Sequence, residues 1–366
     1  MKKIFCFMIA ALLTLTLPIC GRAEALDETT TKPVTCVFNS ALFNGKIKDC
    51  AYAGDGKLFV AADKLYLYDT TTASVLATTE TPLRYFEAQA IDGGYVLSGM
   101  GDSGIMVYVY DNALALTKKI AVNELLTGDF VISETGIAAS ADGKKLAITA
   151  MNGLYLYDLE KEKLTTLLNL TKKAGTSTIQ ISMLNGLAFT HDNSRITFYG
   201  GGLSIPAKKG ESSFSIYGSI ALDGSDLKIT KSATYSIEEM QGRTNRLFFP
   251  QTFTKNNGTL LWLDRKTGDK NTLSFATKGE GRNGVYSSEQ GNYAATAVLG
   301  KSLTIRIYDV ASGKLIATKV IQNSNSTYFN RIPKVYLLDD AKTAIVLLGS
   351  SISEVNTLVS TFKFGD

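Results

Sequence analysis

Histidine is nearly absent from this chain of 366 residues: His191 is the one copy. That excludes a zinc or haem centre built from several imidazoles of one chain, histidine being the commonest metal ligand. A Ser-His-Asp triad would have to use His191, which lies in a turn-like Thr-His-Asp-Asn-Ser stretch with no GxSxG elbow beside it. Proline is scarce, at 6 residues, and tryptophan occurs once. Four cysteines form no CxxC or Cys/His cluster. No segment reads as an amphipathic helix of three turns. One apolar run, residues 4–19, is long enough to notice, and no other segment has about 18 uninterrupted apolar residues, so no membrane span is expected. Net charge is small, +4, falling to +2 without residues 1–25. That is too near neutral to imply a nucleic-acid partner.

What is present begins with a leader. Lys2 and Lys3 precede the apolar run, and Ala23-Glu24-Ala25 offers the small residues that a signal peptidase needs. The expectation is a signal peptide over 1–25, with 26–366 forming one exported domain, periplasmic or extracellular. Lipoprotein processing at Cys20 is disfavoured by the bulk of Ile19 before it. Cleavage leaves Cys36 and Cys50. In an oxidising compartment they can form a disulfide closing a loop of about 15 residues, worth roughly 3 kcal/mol; the alternative is two buried free thiols.

A short phrase then recurs. Residues 65–69 and 154–158 both read LYLYD, 107–111 read VYVYD, 305–309 read IRIYD and 260–264 read LLWLD. With a degraded copy ending at Asp223, the closing Asp residues are 42, 47, 65, 41 and 45 apart. Periods of 40–50 residues match one four-stranded propeller blade. Within one period, residues 137–168, four strand-like runs are separated by Ala141-Asp142-Gly143-Lys144, by Asn152-Gly153 and by a polar turn. The predicted fold is all-β: a β-propeller of seven four-stranded blades at 48–80, 84–124, 128–170, 180–235, 236–277, 283–322 and 329–366. The last has three strands, and the run VTCVFNSA at 34–41 is expected to supply the fourth and close the ring, removing an open sheet edge. In the repeated phrase, Tyr should pack between blades and Asp should accept N–H groups of the following turn.

The texts SADGKKLAITA at 140–150 and IRIYDVASGKLIATKVI at 305–321 resemble the repeats of bacterial YVTN-type and WD-repeat-like β-propellers. The resemblance covers nearly all of 26–366 and implies architecture alone. It also implies that second-to-third-strand loops and the loops leading into each blade share one rim.

Candidate chemistry is sparse. Gly279–Gly284 and Gly99–Gly104 match GxGxxG, but each is followed by a strand pattern, whereas a dinucleotide site needs a helix there. Glu238-Glu239 and Asp339-Asp340 are adjacent carboxylates, and neighbours on a strand face opposite ways. The blade ending at Asp223 is overlong, with the excess placed at 200–213 between its second and third strands. Lys208 and Lys209 there, Arg243 and Arg246 in 236–246, and Lys278 and Arg282 in 278–284 would gather on one rim. This suggests a binding surface for a glycan, peptide or protein. The function expected is a non-catalytic, monomeric binding scaffold without cofactor or metal. The competing class is an enzyme whose channel site is built from carboxylates, Tyr and Arg.

Overall fold

A computed structural model of the chain describes residues 38–365, except 44–46, 82, 84, 102–103, 130, 132–135, 173, 191, 207–212, 233–240, 243–245, 250–257, 265–266, 268, 278, 281–283, 323–332 and 349–357. Within the unit Pro33–Asp366, the strands form seven antiparallel sheets, each built from strands consecutive in sequence. The blades span 49–80, 85–121, 137–169, 179–231, 241–274, 285–322 and 334–363. Helix is confined, among the described residues, to the single turn Val122–Leu125 and the 3-10 turns Ser40–Phe43 and Leu170–Lys172. No described helix is long and apolar enough to cross a membrane.

The repeated phrase is the third strand of its blade, and both of its faces are buried. Leu65 and Leu67 join an apolar cluster with Leu97 and Tyr108 of blade 2, while Tyr66 and Tyr68 join another with Leu338 and Ile345 of blade 7. In blade 3, Leu154 and Leu156 face blade 4 and Tyr157 faces blade 2. In blade 6, Ile305 and Ile307 face blade 7 and Tyr308 faces blade 5. Alternation along a strand sends successive side chains to opposite faces. A strand enclosed by sheets on both sides therefore reads as an unbroken apolar run. Seven clusters result, one between each pair of successive blades, including blades 7 and 1. The ring is closed by this packing.

Six blades have four strands and the seventh has three among the described residues. Of the segment expected to complete it, residues 34–37 lie outside the described residues, and Phe38 and Asn39 are not in a strand. Phe38 packs on Phe43 and Tyr68, with ring centroids 5.3 and 5.6 Å away, and so ties the start of the chain to the interface of blades 7 and 1.

Blade 4 corrects one expectation. Its excess residues lengthen the strands: Ile179–Phe189 and Arg195–Ser204 run for 11 and 10 residues, so 200–204 is strand rather than loop. Two irregularities in the first of these strands push its backbone toward Gly200 and Gly201. A Cβ on Gly200 would stand 2.1 Å from the Met183 carbonyl oxygen. The glycine run marks a close approach, not a flexible insertion.

The closing Asp residues behave as expected. Asp158 Oδ1 accepts the N–H groups of Glu160 and Lys161 at 3.1 and 2.9 Å; Asp309 Oδ1 accepts that of Ser312 at 2.7 Å. The first-to-second-strand turns use the same device: Asp192 Oδ1 accepts the Ser194 N–H at 3.0 Å and its hydroxyl at 2.8 Å. These bonds hold Asp158 and Asp223 below the usual carboxylate range and bring Asp192 down to about 2. A carboxyl whose folded pKa is depressed stabilises the fold above its unfolded pKa, near 4, and loses that effect as pH falls through the folded value. The thermal midpoint should therefore fall between about pH 4 and pH 2, and Asp192→Asn should make that fall shallower, as followed by circular dichroism. Phe59, fully buried and stacked on Tyr95 at 4.9 Å across the interface of blades 1 and 2, gives the core test: Phe59→Ala should cost about 3–5 kcal/mol in denaturant unfolding.

Candidate functional site

Antiparallel order defines two rims. One carries the first-to-second and third-to-fourth turns; the other carries the second-to-third hairpins and the connections between blades. The innermost strand of each blade has one edge paired with its own sheet and one edge facing the axis. Its free N–H and C=O groups must find partners from elsewhere.

Side chains from neighbouring innermost strands supply them. Tyr286 of blade 6 donates its hydroxyl to the Pro333 carbonyl leading into blade 7. Tyr336 of blade 7 donates to Asp49 Oδ1 of blade 1 at 2.6 Å and accepts the Cys50 N–H at 3.2 Å. Asp49 Oδ2 accepts the Ala88 N–H of blade 2 at 2.9 Å. Gln89 of blade 2 donates to the Ile137 carbonyl of blade 3 at 3.1 Å and accepts the Ala139 N–H at 3.0 Å. One continuous series of side chains thus links blades 6, 7, 1, 2 and 3.

This series holds the densest group of ionisable side chains near the axis. Asp49 and Lys334 are the first residues of their strands, at the end where the connections between blades arrive. Lys334 Nζ donates to the Lys48 carbonyl at 2.8 Å and lies 3.4 Å from Asp49 Oδ1. Half of the Lys334 side chain is exposed, 49%, against 13% for Asp49. Burial pulls the Lys334 ammonium down, but Asp49 and Glu87 outweigh it and the net shift is upward. Burial, followed by the Asp49 charge, pushes the Tyr336 hydroxyl well up. The same two causes push the Cys50 thiol well up, keeping it protonated and a poor nucleophile. A general acid or base works best with a pKa near the operating pH. Here the lysine and the tyrosine are both moved away from neutrality. The cluster can hold a charge in place and offer an ammonium to a ligand.

A second series runs along the turn rim. The Asp92 N–H donates to the Ala141 carbonyl at 2.7 Å, the Ala141 N–H to Asn193 Oδ1 at 3.2 Å, and Tyr52 to Asp340 Oδ1 at 2.5 Å. Asp339 accepts the Ser288 hydroxyl at 2.8 Å and the Gln290 N–H at 2.9 Å. The adjacent pair Asp339-Asp340 is therefore split between blade 6 and blade 1.

Of the rim residues expected from sequence, Lys208, Lys209, Arg243, Lys278 and Arg282 lie outside the described residues. Arg246 opens the second strand of blade 5, which puts it at the turn rim, away from the second-to-third hairpins. It donates Nη1 to the Gly291 carbonyl at 2.6 Å, and its guanidinium lies 4.9 Å from the centre of the Trp262 ring. Arg246 Nε and Trp262 Nε1 are buried without a hydrogen-bond partner. Burial holds the Arg246 pKa below its ordinary value. Arg246 thus joins blade 5 to blade 6. Cys36 and His191 also lie outside the described residues, and Cys50 is a buried free thiol.

Both GxGxxG matches lead into strands, Val285–Ser287 and Gly104–Asp111. Glu280, within the first, is 1% exposed. It accepts hydroxyls from Tyr308 at 2.6 Å and Thr296 at 2.5 Å, and the Thr277 N–H at 3.0 Å, latching the connection between blades 5 and 6 onto blade 6. Asp129 plays the same part in blade 3, accepting the Tyr155 hydroxyl at 2.8 Å and the Asn152 N–H at 3.1 Å. Among the described residues, no three His, Cys, Asp or Glu side chains assemble as a metal site requires. Asp49, Glu87, Lys334 and Tyr336 had no motif to announce them; aligning the starts of the blades is the signal that could have found them. Removing the bridge by Tyr336→Phe should cost about 1–3 kcal/mol, since it strips a partner from Asp49 and the Cys50 N–H; chemical denaturation measures it.

No protein-family profile matches the chain, and no curated protein matches it in sequence. Among solved structures, hydrazine synthase from Kuenenia stuttgartiensis is similar, with a TM-score of 0.52 and 13% sequence identity, over 87% of this chain and 96% of that one. As many as 1136 solved chains match in fold. At such identity the likeness shows the fold alone: this chain is a seven-bladed β-propeller.

Proposed function

We propose that this propeller is an exported, non-catalytic binding scaffold acting in the periplasm or outside the cell. The observation that carries this reading is the ionisation of the channel mouth. Lys334 and Tyr336 both have pKa values moved up from their ordinary ones, and Asp49 is engaged by Tyr336, Lys334 and the Ala88 N–H. These groups brace the ring, and the lysine and the tyrosine are both held away from neutrality. The leader-like residues 1–25 support export, and the YVTN-type and WD-repeat-like character of the repeats supports a rigid platform whose loops vary. The basic residues Lys208, Lys209, Lys278 and Arg282 of the sequence suit a peptide, glycan or protein partner.

A second reading, an enzyme, draws on the convergence of Asp49, Glu87, Lys334 and Tyr336 on neighbouring innermost strands. The two readings separate in one experiment. Residues 26–366, purified and assayed for bound metal and cofactor, are screened by thermal shift against peptides and glycans. A ligand that binds the folded state raises the midpoint by mass action. The scaffold reading expects such a rise with no turnover of the ligand, unchanged in kind by Lys334→Met. Turnover that Lys334→Met or Tyr336→Phe abolishes would establish the enzyme instead.

A further inference from the structure

The outermost strands of blades 2–6 carry charge of one sign. In blade 1 the outer strand ends in Glu80, which is paired with Lys64 at 2.6 Å. In blades 2–6 the outer strands are Leu116–Ala121, Lys163–Asn169, Lys228–Lys231, Lys270–Ser274 and Leu315–Gln322. Together these five hold seven lysines and no carboxylate. Lys118 and Lys228 reach Glu162 and Asp226 in the adjoining turns, at 3.3 Å each. Lys119, Lys163, Lys270 and Lys319 are exposed and have no carboxylate partner among the described residues. Exposed hydroxyls stand on the same strand face as two of them, Thr165 two residues from Lys163 and Thr272 two residues from Lys270. The acids lie in the turns: Glu162, Asp226 and Asp269 stand just before outer strands, while Asp111, Asp158, Asp223, Asp264 and Asp309 cap backbone N–H groups after the third strands.

A lysine on an exposed edge strand discourages pairing with another chain. Edge protection accounts for a lysine on each strand, and it leaves those exposed charges free to meet a partner as well. A belt of one sign attracts a partner of the other. The belt is convex and spread around the ring. A flat bilayer or a compact protein meets one flank of it at a time, whereas a flexible linear chain can follow the curve across several blades. We propose that the outer wall of blades 2–6 is a docking belt for a flexible acidic polysaccharide. Its carboxylate or sulfate groups meet Lys119, Lys163, Lys270 and Lys319 in turn, and the threonine hydroxyls face its sugar hydroxyls. This rests on the reading of an exported binding protein and supplies the class of ligand.

The test uses purified 26–366 on immobilised heparin and in solution with polygalacturonate, with phosphatidylglycerol vesicles as the membrane arm. Exposed ion pairs contribute about 0.2–1 kcal/mol each, so losing four should weaken polygalacturonate binding by roughly 4- to 1000-fold at low salt. The variant Lys119→Thr, Lys163→Thr, Lys270→Thr, Lys319→Thr should leave heparin at clearly lower salt than the wild type. Lys57→Ser, at an exposed lysine on the second strand of blade 1 and off the belt, should elute with the wild type. Circular dichroism checks that the fourfold variant is folded; if it is not, the singles Lys163→Thr and Lys319→Thr should each move elution part of the way. Equal elution of belt variant and wild type overturns the proposal. So does failure of the wild type to bind either polymer, or vesicle binding that matches polymer binding. Turnover of a polymer that still binds the belt would sink the non-catalytic reading and leave the belt standing.

Discussion

Each blade is buried on both faces by its neighbours, and everything else in the molecule follows from that constraint. A four-stranded sheet with two apolar faces is not stable by itself. Its leucines need the next blade and its tyrosines the previous one. The ring satisfies every blade only by closing, and the cluster that holds Phe43, Tyr68, Leu338 and Ile345 joins the first blade to the last. Packing leaves one debt, the axial edge of the innermost strands, where backbone groups have no sheet partner. Side chains of adjacent blades meet it, from Tyr286 through Tyr336 and Asp49 to Gln89.

That arrangement shapes what the axis can do chemically. Ionisable residues stand there because a backbone edge needs strong donors and acceptors. Once engaged, their ionisation is set by burial and by one another, and the lysine and tyrosine move away from neutral pH. Charge that remains available is displaced outward. The Asp residues of the turns cap N–H groups, while the lysines of the outer strands face solvent with few partners. With the inner polar groups engaged in closure, the exposed charge lies on the outer strands.

Much of the fold was legible because the phrase LYLYD records a physical situation, a strand enclosed on two sides and followed by a capped turn. Its spacing carries the blade count, and the seven observed blades fall within a few residues of the expected ones at most ends. The innermost strands were less legible. In blade 5 the first strand is the pair Gln241–Gly242, too short for any periodicity. The bracing residues hold different positions in their strands, so no repeat marks them. Gly200–Gly202 reads as loop from composition, yet it is strand, because two irregularities in the facing strand leave no room for a Cβ. Arg246 reads as a cation of the connection rim; as the first residue of the second strand of blade 5 it stands at the turn rim, where it binds Gly291.

The ionisable groups of the innermost strands brace, through shared hydrogen bonds, blades that apolar packing closes into a ring. The most direct measurement is a double-mutant cycle on Asp49→Asn and Tyr336→Phe, read as unfolding free energy of residues 26–366. Groups that brace two blades through one shared bond should be coupled by about 0.5–3 kcal/mol. Additive effects, within about 0.5 kcal/mol, would contradict the account and return the cluster to the list of candidate catalytic groups.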